Sequence, residues 1–211
     1  VDGLAFRSVG TTGIQFLHPS SAKWQVWCAQ GVASMRVDES TDTIYVFTGS
    51  ALLAMRAKTG EEIWRFDTSS FPDWPQWIAT ADIVFVGHLA NNSVVGLDRA
   101  TGKVVWQQFV KAIDTRITWP TVASGNVFAL DYEQKKLWAF DLKSGAVKWN
   151  VLVPDGIFPN AEGNSVFVAT GKGKWLGGAV IGLSAFDASD GKTRWHNEQD
   201  FTPPLEKWFS D

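Results

Sequence analysis

Apolar and polar positions along the chain alternate in short runs that break at glycine. IYVFTGS (residues 44–50), IVFVGH (83–88), NVFALD (126–131) and SVFVAT (165–170) are rich in β-branched and aromatic residues, the composition of buried strands. After each comes a segment that alternates, turns and resumes: LLAMRAKTGEEIW (52–64), VVGLDRATGKVVW (94–106), LWAFDLKSGAVKW (137–149) and LSAFDASDGKTRW (183–195). This pattern predicts a β-hairpin, with glycine supplying the positive φ of the turn. Ahead of the buried strands, GVASMRV (31–37), PQWIATA (75–81), TWPTVAS (118–124) and IFPNAEG (157–163) suit one more short strand each, some entered by proline. Each unit thus contains four strands, the second hairpin strand ending in tryptophan, and no segment sustains helical periodicity.

The four hairpins are copies of one motif. Gly60, Gly102, Gly145 and Gly191 each precede a tryptophan by four residues, namely Trp64, Trp106, Trp149 and Trp195. Asp98, Asp141 and Asp187 precede three of these glycines by four residues, placed to accept hydrogen bonds from turn amides; Arg56 stands in the first copy. The tryptophans are spaced 42, 43 and 46 residues apart, the period of a propeller blade with four strands. A degenerate copy runs from Gly13 to Trp27, with His18 in place of the aspartate and Ala22 in place of the glycine. The expected fold is all-β, a propeller of four-stranded antiparallel blades, as a single domain over residues 1–211. Its approximate units are 1–27 (partial), 28–64, 65–106, 107–149 and 150–195, with 196–211 as a candidate closing strand. Leu4 to Val9 reads as a second strand of its unit and FTPPLEKW (201–208) as a first strand. The two halves would complete one blade of a closed five-bladed ring, or the chain is a slice of a longer propeller. A first residue of Val1 fits a processed form or an excerpt.

The motif resembles the quinoprotein-type, PQQ-like propeller repeat: GLDRATGKVVW and AFDLKSGAVKW follow its Leu-Asp, three residues, Gly-Lys, two residues, Trp pattern closely. The resemblance covers nearly the whole chain. It implies that Trp64, Trp106, Trp149 and Trp195 are structural, packing between neighbouring blades. The family includes quinone-dependent alcohol and glucose dehydrogenases, a bacterial outer-membrane assembly lipoprotein and sensor domains of the endoplasmic reticulum lumen, so the resemblance is specific for fold and not for function.

Composition narrows the function classes. Of 211 residues, 19% are charged and the formal net charge is −3, which removes the electrostatic warrant for a nucleic-acid partner. No uncharged apolar stretch approaches the ~18 residues of a membrane-spanning helix. Cys28 is the one cysteine, so an internal disulfide and a cysteine-rich zinc site are excluded. The alcohol-oxidising relatives carry a vicinal disulfide over their cofactor, which a single cysteine cannot form, and no Cys-x-x-Cys-His haem attachment site is present. Asp98, Asp141 and Asp187 are explained as turn formers. His18, His88 and His196 lack metal-ligand spacing, and Asp38 to Asp42 lacks the spacing and glycine of a calcium loop and reads as a solvated turn. No catalytic, cofactor-binding or metal residues are assigned.

The candidates for contact are tryptophans outside the repeat position. Trp74 and Trp77 flank a proline in SSFPDWPQW (69–77), Trp175 lies in the glycine-rich loop GKGKWLGG (171–178), and Trp208 follows Pro203 and Pro204. Aromatic rings on loops are frequent binding anchors; the alternative is a ring folded over its own blade edge. Asn91 begins a glycosylation sequon that matters only in a eukaryotic secretory setting. The expectation is a non-catalytic propeller scaffold for protein–protein contacts, an accessory subunit of a larger extracytoplasmic or membrane-associated assembly, with other proteins as partners and no cofactor. The alternatives are a carbohydrate-binding or small-ligand module and a fragment of a quinone-dependent dehydrogenase.

Overall fold

The computed structural model describes residues 5–8, 14–17, 24–28, 34–68, 76–87, 93–110, 117–131, 134–172 and 179–197. They form 19 strands in five antiparallel sheets, each a meander of consecutive strands. Blade 1 has three strands, β1 (Ala5–Ser8), β2 (Ile14–Leu17) and β3 (Trp24–Cys28). Blade 2 comprises β4 (Ser34–Asp38), β5 (Thr43–Phe47), β6 (Ala51–Arg56) and β7 (Glu62–Asp67). Blade 3 comprises β8 (Trp77–Ala79), β9 (Ile83–Val86), β10 (Ser93–Asp98) and β11 (Val104–Phe109). Blade 4 comprises β12 (Ile117–Ala123), β13 (Asn126–Asp131), β14 (Lys136–Asp141) and β15 (Val147–Leu152). Blade 5 comprises β16 (Gly156–Glu162), β17 (Ser165–Lys172), β18 (Ala179–Asp187) and β19 (Thr193–Asn197). The all-β, four-stranded antiparallel blades expected from the repeat are therefore observed.

Two details differ from the sequence reading. The outer strands do not end at the repeat tryptophan but continue to Asp67, Phe109, Leu152 and Asn197, because the ladder extends, as in the pairing of Ala51 with Asp67. Gly171 and Lys172, assigned to a loop, belong to β17, where Lys172 pairs with Ala179.

The chain forms two compact units. One holds residues 1–75 together with the turn 98–103, and the other holds residues 76–97 and 104–211. In the first, Ile44, Val46, Ala51, Leu53, Met55 and Ala57 make the core of blade 2. The second is a stack of blades 3, 4 and 5, and blade 4 shows how period-2 alternation serves two neighbours. Val127, Ala129, Trp138 and Phe140 pack with Ile83, Phe85 and Val94 of blade 3. The alternate residues Phe128, Leu130, Leu137 and Ala139 pack with Val166, Val168 and Phe186 of blade 5. Both faces of the middle strands are buried, which is why they read as continuous apolar runs. The outer strands β7 and β11 bury one position in six, their tryptophan.

Candidate functional site

Each repeat hairpin closes on the same hydrogen bonds. The glycine N–H donates to the carbonyl four residues back: Gly60 to Arg56 at 2.9 Å, Gly102 to Asp98 and Gly145 to Asp141 at 2.8 Å, Gly191 to Asp187 at 2.9 Å. All four glycines have φ between 68° and 75°, a region that side-chain-bearing residues rarely adopt. The aspartate carboxylate then accepts from the turn. Asp98 Oδ1 receives Thr101 N and Oγ1 at 2.8 and 2.6 Å, Asp141 Oδ1 receives Ser144 N and Oγ at 2.9 Å each, and Asp187 Oδ1 receives Ser189 N and Oγ at 2.8 and 2.6 Å.

These bonds hold the charged form. The backbone N–H and hydroxyl of Ser144, with help from Lys148, lower the Asp141 carboxyl to about 2. The Ser189 hydroxyl and then Arg194 depress Asp187, and the Thr101 hydroxyl and amide depress Asp98. Shifted carboxylates mark function where they sit in clefts; these are solvent-facing turn formers, which accounts for the shift structurally.

The tryptophan of one repeat meets the turn of the next. The indole N–H of Trp64 donates to Arg99 O at 2.8 Å, that of Trp106 to Leu142 O at 3.0 Å and that of Trp149 to Ala188 O at 3.2 Å. The acceptor is always the residue after the aspartate position. The ring lies against the turn glycine: a Cβ there would fall 2.6 Å from Trp64 at Gly102, 2.3 Å from Trp106 at Gly145 and 2.7 Å from Trp149 at Gly191. On its own blade each ring leans on an aromatic of the second strand, Tyr45 on Trp64 at 6.0 Å, Phe85 on Trp106 at 6.2 Å and Phe128 on Trp149 at 5.6 Å between centroids. The residue paired across from it is small, Ala54, Gly96 or Ala139, and the ladder bulges just beyond.

Trp195 departs from this set. It pairs with Ala185 and leans on Phe167 at 6.1 Å, yet it is 44% exposed, where Trp64 and Trp106 are 6% and 8% exposed. Further apolar exposure lies on the outer strands of blades 3 and 4. Phe109 and Leu152 each stand three residues past a repeat tryptophan and are 61% and 60% exposed, with Val104 and Val105 half-exposed beside Trp106.

Of the candidate contact residues, Trp77 is described; it lies buried in β8 and pairs with Val86. Trp74, Trp175 and Trp208 lie outside the described residues, as do Asn91, His18 and His88. His196 is on β19, with Nδ1 2.8 Å from Ser184 Oγ. Among the described residues no three His, Cys, Asp or Glu side chains converge to hold a metal ion, and no helix is long and apolar enough to cross a membrane.

The sequence reading missed Arg99. Its carbonyl takes Trp64, while its guanidinium, largely buried, donates from Nε to Tyr45 Oη at 3.0 Å and pairs with Asp38. Asp38 also accepts from Ser40 N at 3.0 Å, so the expected solvated turn is a 3-10 turn capped by Asp38 and tied to Arg99. The only signal was an arginine directly after the turn aspartate in one repeat out of four.

The hairpin geometry matches a known repeat. A family model described as outer membrane protein assembly factor BamB, of the PQQ-like type, matches residues 48–207. The chain belongs to this PQQ-like family. No curated protein matches the sequence significantly. Among solved structures, BamB from Moraxella catarrhalis is similar with a TM-score of 0.65 and 19% identity, over 94% of this chain and 62% of that one. The quinohemoprotein alcohol dehydrogenase of Comamonas testosteroni is similar with a TM-score of 0.55 and 20% identity, over 76% of this chain and 34% of that one. Sqt1 from Saccharomyces cerevisiae gives 0.63 and 12%, over 90% and 57%. The PQQ-like chain thus spans less than two thirds of the length of each of these proteins, and at such identities the likeness is one of fold.

Proposed function

We propose that this PQQ-like chain is a non-catalytic propeller scaffold that holds other proteins in a larger extracytoplasmic assembly. The observation that carries the reading is the apolar outer rim: Phe109 and Leu152, in equivalent register on the outer strands of adjacent blades, present large apolar side chains to solvent. Seam tryptophans bury the apolar surface that the fold itself needs, so these two residues are free for a partner. The outer strands also carry an edge of backbone donors and acceptors, a template for an added strand. The family description as an outer membrane protein assembly factor supports both the assembly role and the location outside the cytosol. Trp74, Trp175 and Trp208 remain proposed contact residues on the same reading. The lone Cys28 and the structural employment of Asp98, Asp141 and Asp187 support the assignment of no catalytic or cofactor residues.

The test is native mass spectrometry of the protein gently isolated from its source, as wild type and as Phe109→Asp/Leu152→Asp. A multi-chain particle that the double variant loses, with its far-ultraviolet circular dichroism unchanged, is the expected result. Wild-type protein that runs without any companion chain, or a particle indifferent to the double substitution, would overturn the reading.

A further inference from the structure

We propose that the outer edge of blade 3 is a self-association surface, at which β11 pairs antiparallel with β11 of a second copy of this chain about a two-fold axis at Gln107. This pairing extends the reading of the outer rim as a contact surface, on which it rests, and names the partner at Phe109.

The ladder fixes which backbone groups of β11 face outward. In blade 2 Thr68 N donates to Ser50 O at 2.8 Å, and in blade 4 Val153 N donates to Lys135 O at 2.6 Å. Hydrogen-bonded pairs recur at every second residue of an antiparallel ladder, so Ala54–Trp64 and Ala139–Trp149 are bonded pairs too. Trp106 opposite Gly96 is their counterpart in blade 3. Trp106 and Gln108 therefore turn their N–H and C=O toward β10. Gln107 and Phe109 turn theirs away from it, and β11 is the terminal strand of its sheet. Gln108 folds its side-chain amide back onto Phe109 O at 3.0 Å, an exposed bond that a backbone N–H of another strand can replace.

Edge strands are commonly guarded by charge, and the outer strands of blades 2, 4 and 5 follow that rule. β7 carries Glu62, Arg65 and Asp67, β15 carries Lys148, and β19 carries Arg194. β11 reads Val-Val-Trp-Gln-Gln-Phe, with no charge, proline or glycine, the composition that favours strand-to-strand association. Val105, Gln107 and Phe109 are all exposed.

Symmetry selects a second copy as the occupant. A two-fold interface sets residue i against j and j against i. About Gln107, Val105 of each copy stands opposite Phe109 of the other, so two apolar pairs flank Gln107 facing itself. Aromatic and β-branched side chains form favourable cross-strand pairs. Each Gln107 Nε2 donates to Ser93 Oγ at 2.9 Å, and its second amide hydrogen and Oε1 can bond across the axis. The same operation on β7 sets Arg65 against Arg65, and on β15 it sets Lys148 against Leu152. Neither of those strands is complementary to itself.

The test is analytical ultracentrifugation of the purified 211-residue chain, as wild type and with two substitutions at the axis, Gln107→Glu and Gln107→Lys. Gln107 is exposed, so both variants should keep the wild-type far-ultraviolet circular dichroism. The wild type is expected to show a reversible monomer–dimer equilibrium. Each variant alone sets like charges on Cα atoms about 5.5 Å apart and should weaken the dimer roughly tenfold. A 1:1 mixture of the two sets opposite charges there and should restore dimerisation as a heterodimer. A contact elsewhere on the surface, or a site for a strand of another protein, would not give this pattern. Wild-type chain that stays monomeric up to about 1 mM, a dimer indifferent to either substitution, or a mixture no more dimeric than its components would overturn the inference. Where the purified chain stays monomeric but its particle from the source still contains other proteins, self-pairing is overturned and the scaffold reading stands.

Discussion

Replacing Gly145 by alanine separates the two roles of the turn glycine. At φ of +72° an alanine is strained by about 1–2 kcal/mol. Its Cβ would also lie 2.3 Å from Trp106 Cε3 and 2.6 Å from Cδ2, so ring or turn must shift, and overpacking of this kind costs about 1–3 kcal/mol. The sum is about 2–5 kcal/mol, a large part of a typical domain's stability of about 5–15 kcal/mol. Gly125 is the internal control: its φ is +71°, but a Cβ there meets nothing within 4 Å. Gly125→Ala therefore carries the backbone strain alone. The two variants should differ by about 2 kcal/mol, which at a urea dependence of about 2 kcal/mol per M separates their unfolding midpoints by about 1 M. The assay is urea unfolding followed by circular dichroism. In a Trp106→Ala background the excess cost of Gly145→Ala should vanish, since the ring it strikes is gone. Equal midpoints for Gly145→Ala and Gly125→Ala would refute the argument that the glycine is required by the neighbouring blade's ring.

Three further outcomes follow from the same geometry. Trp106→Phe removes the donor to Leu142 O and shrinks a buried ring, so it should destabilise by about 1–3 kcal/mol, whereas Trp195→Phe, at an exposed ring, should stay within about 0.5 kcal/mol; thermal unfolding of the two variants compares them. Arg99→Ala leaves Asp38 without its counter-charge and the Tyr45 hydroxyl without its donor, and should cost about 2–3 kcal/mol, read by chemical denaturation. The turn carboxylates are held below the ordinary 3.8, Asp141 at about 2 and Asp98 and Asp187 also lowered; their contribution is complete above about pH 4 and is lost as pH falls toward 2, so Asp141→Asn should flatten the acid limb of a stability–pH profile between those values.

Much of the fold was legible because its instructions are local. The apolar run Leu137 to Phe140, a turn of Asp141 to Gly145 and a tryptophan four residues later specify a hairpin through backbone φ, turn hydrogen bonds and strand composition, all within 13 residues. The repetition of that unit announced the blades. The candidate contact residues were less legible. Trp77 reads like a loop aromatic beside proline, yet it is a buried strand residue paired with Val86. Phe109 and Leu152 read like ordinary strand apolars, yet they extend beyond the repeat tryptophan to an exposed edge.

By itself, then, the sequence determined the hairpins, the turn chemistry, the strand count per blade and the PQQ-like repeat. The tertiary structure alone decided that Gly102, Gly145 and Gly191 each lie against the tryptophan of the preceding repeat, that Arg99 ties a turn to Asp38 and Tyr45, and that Trp195 is far more exposed than Trp64 and Trp106. The physical reason is that period and turn residues set which face of a strand a side chain occupies, whereas what lies against that face depends on how separate sheets stack, across some 35–40 residues of chain in each of the three described seams.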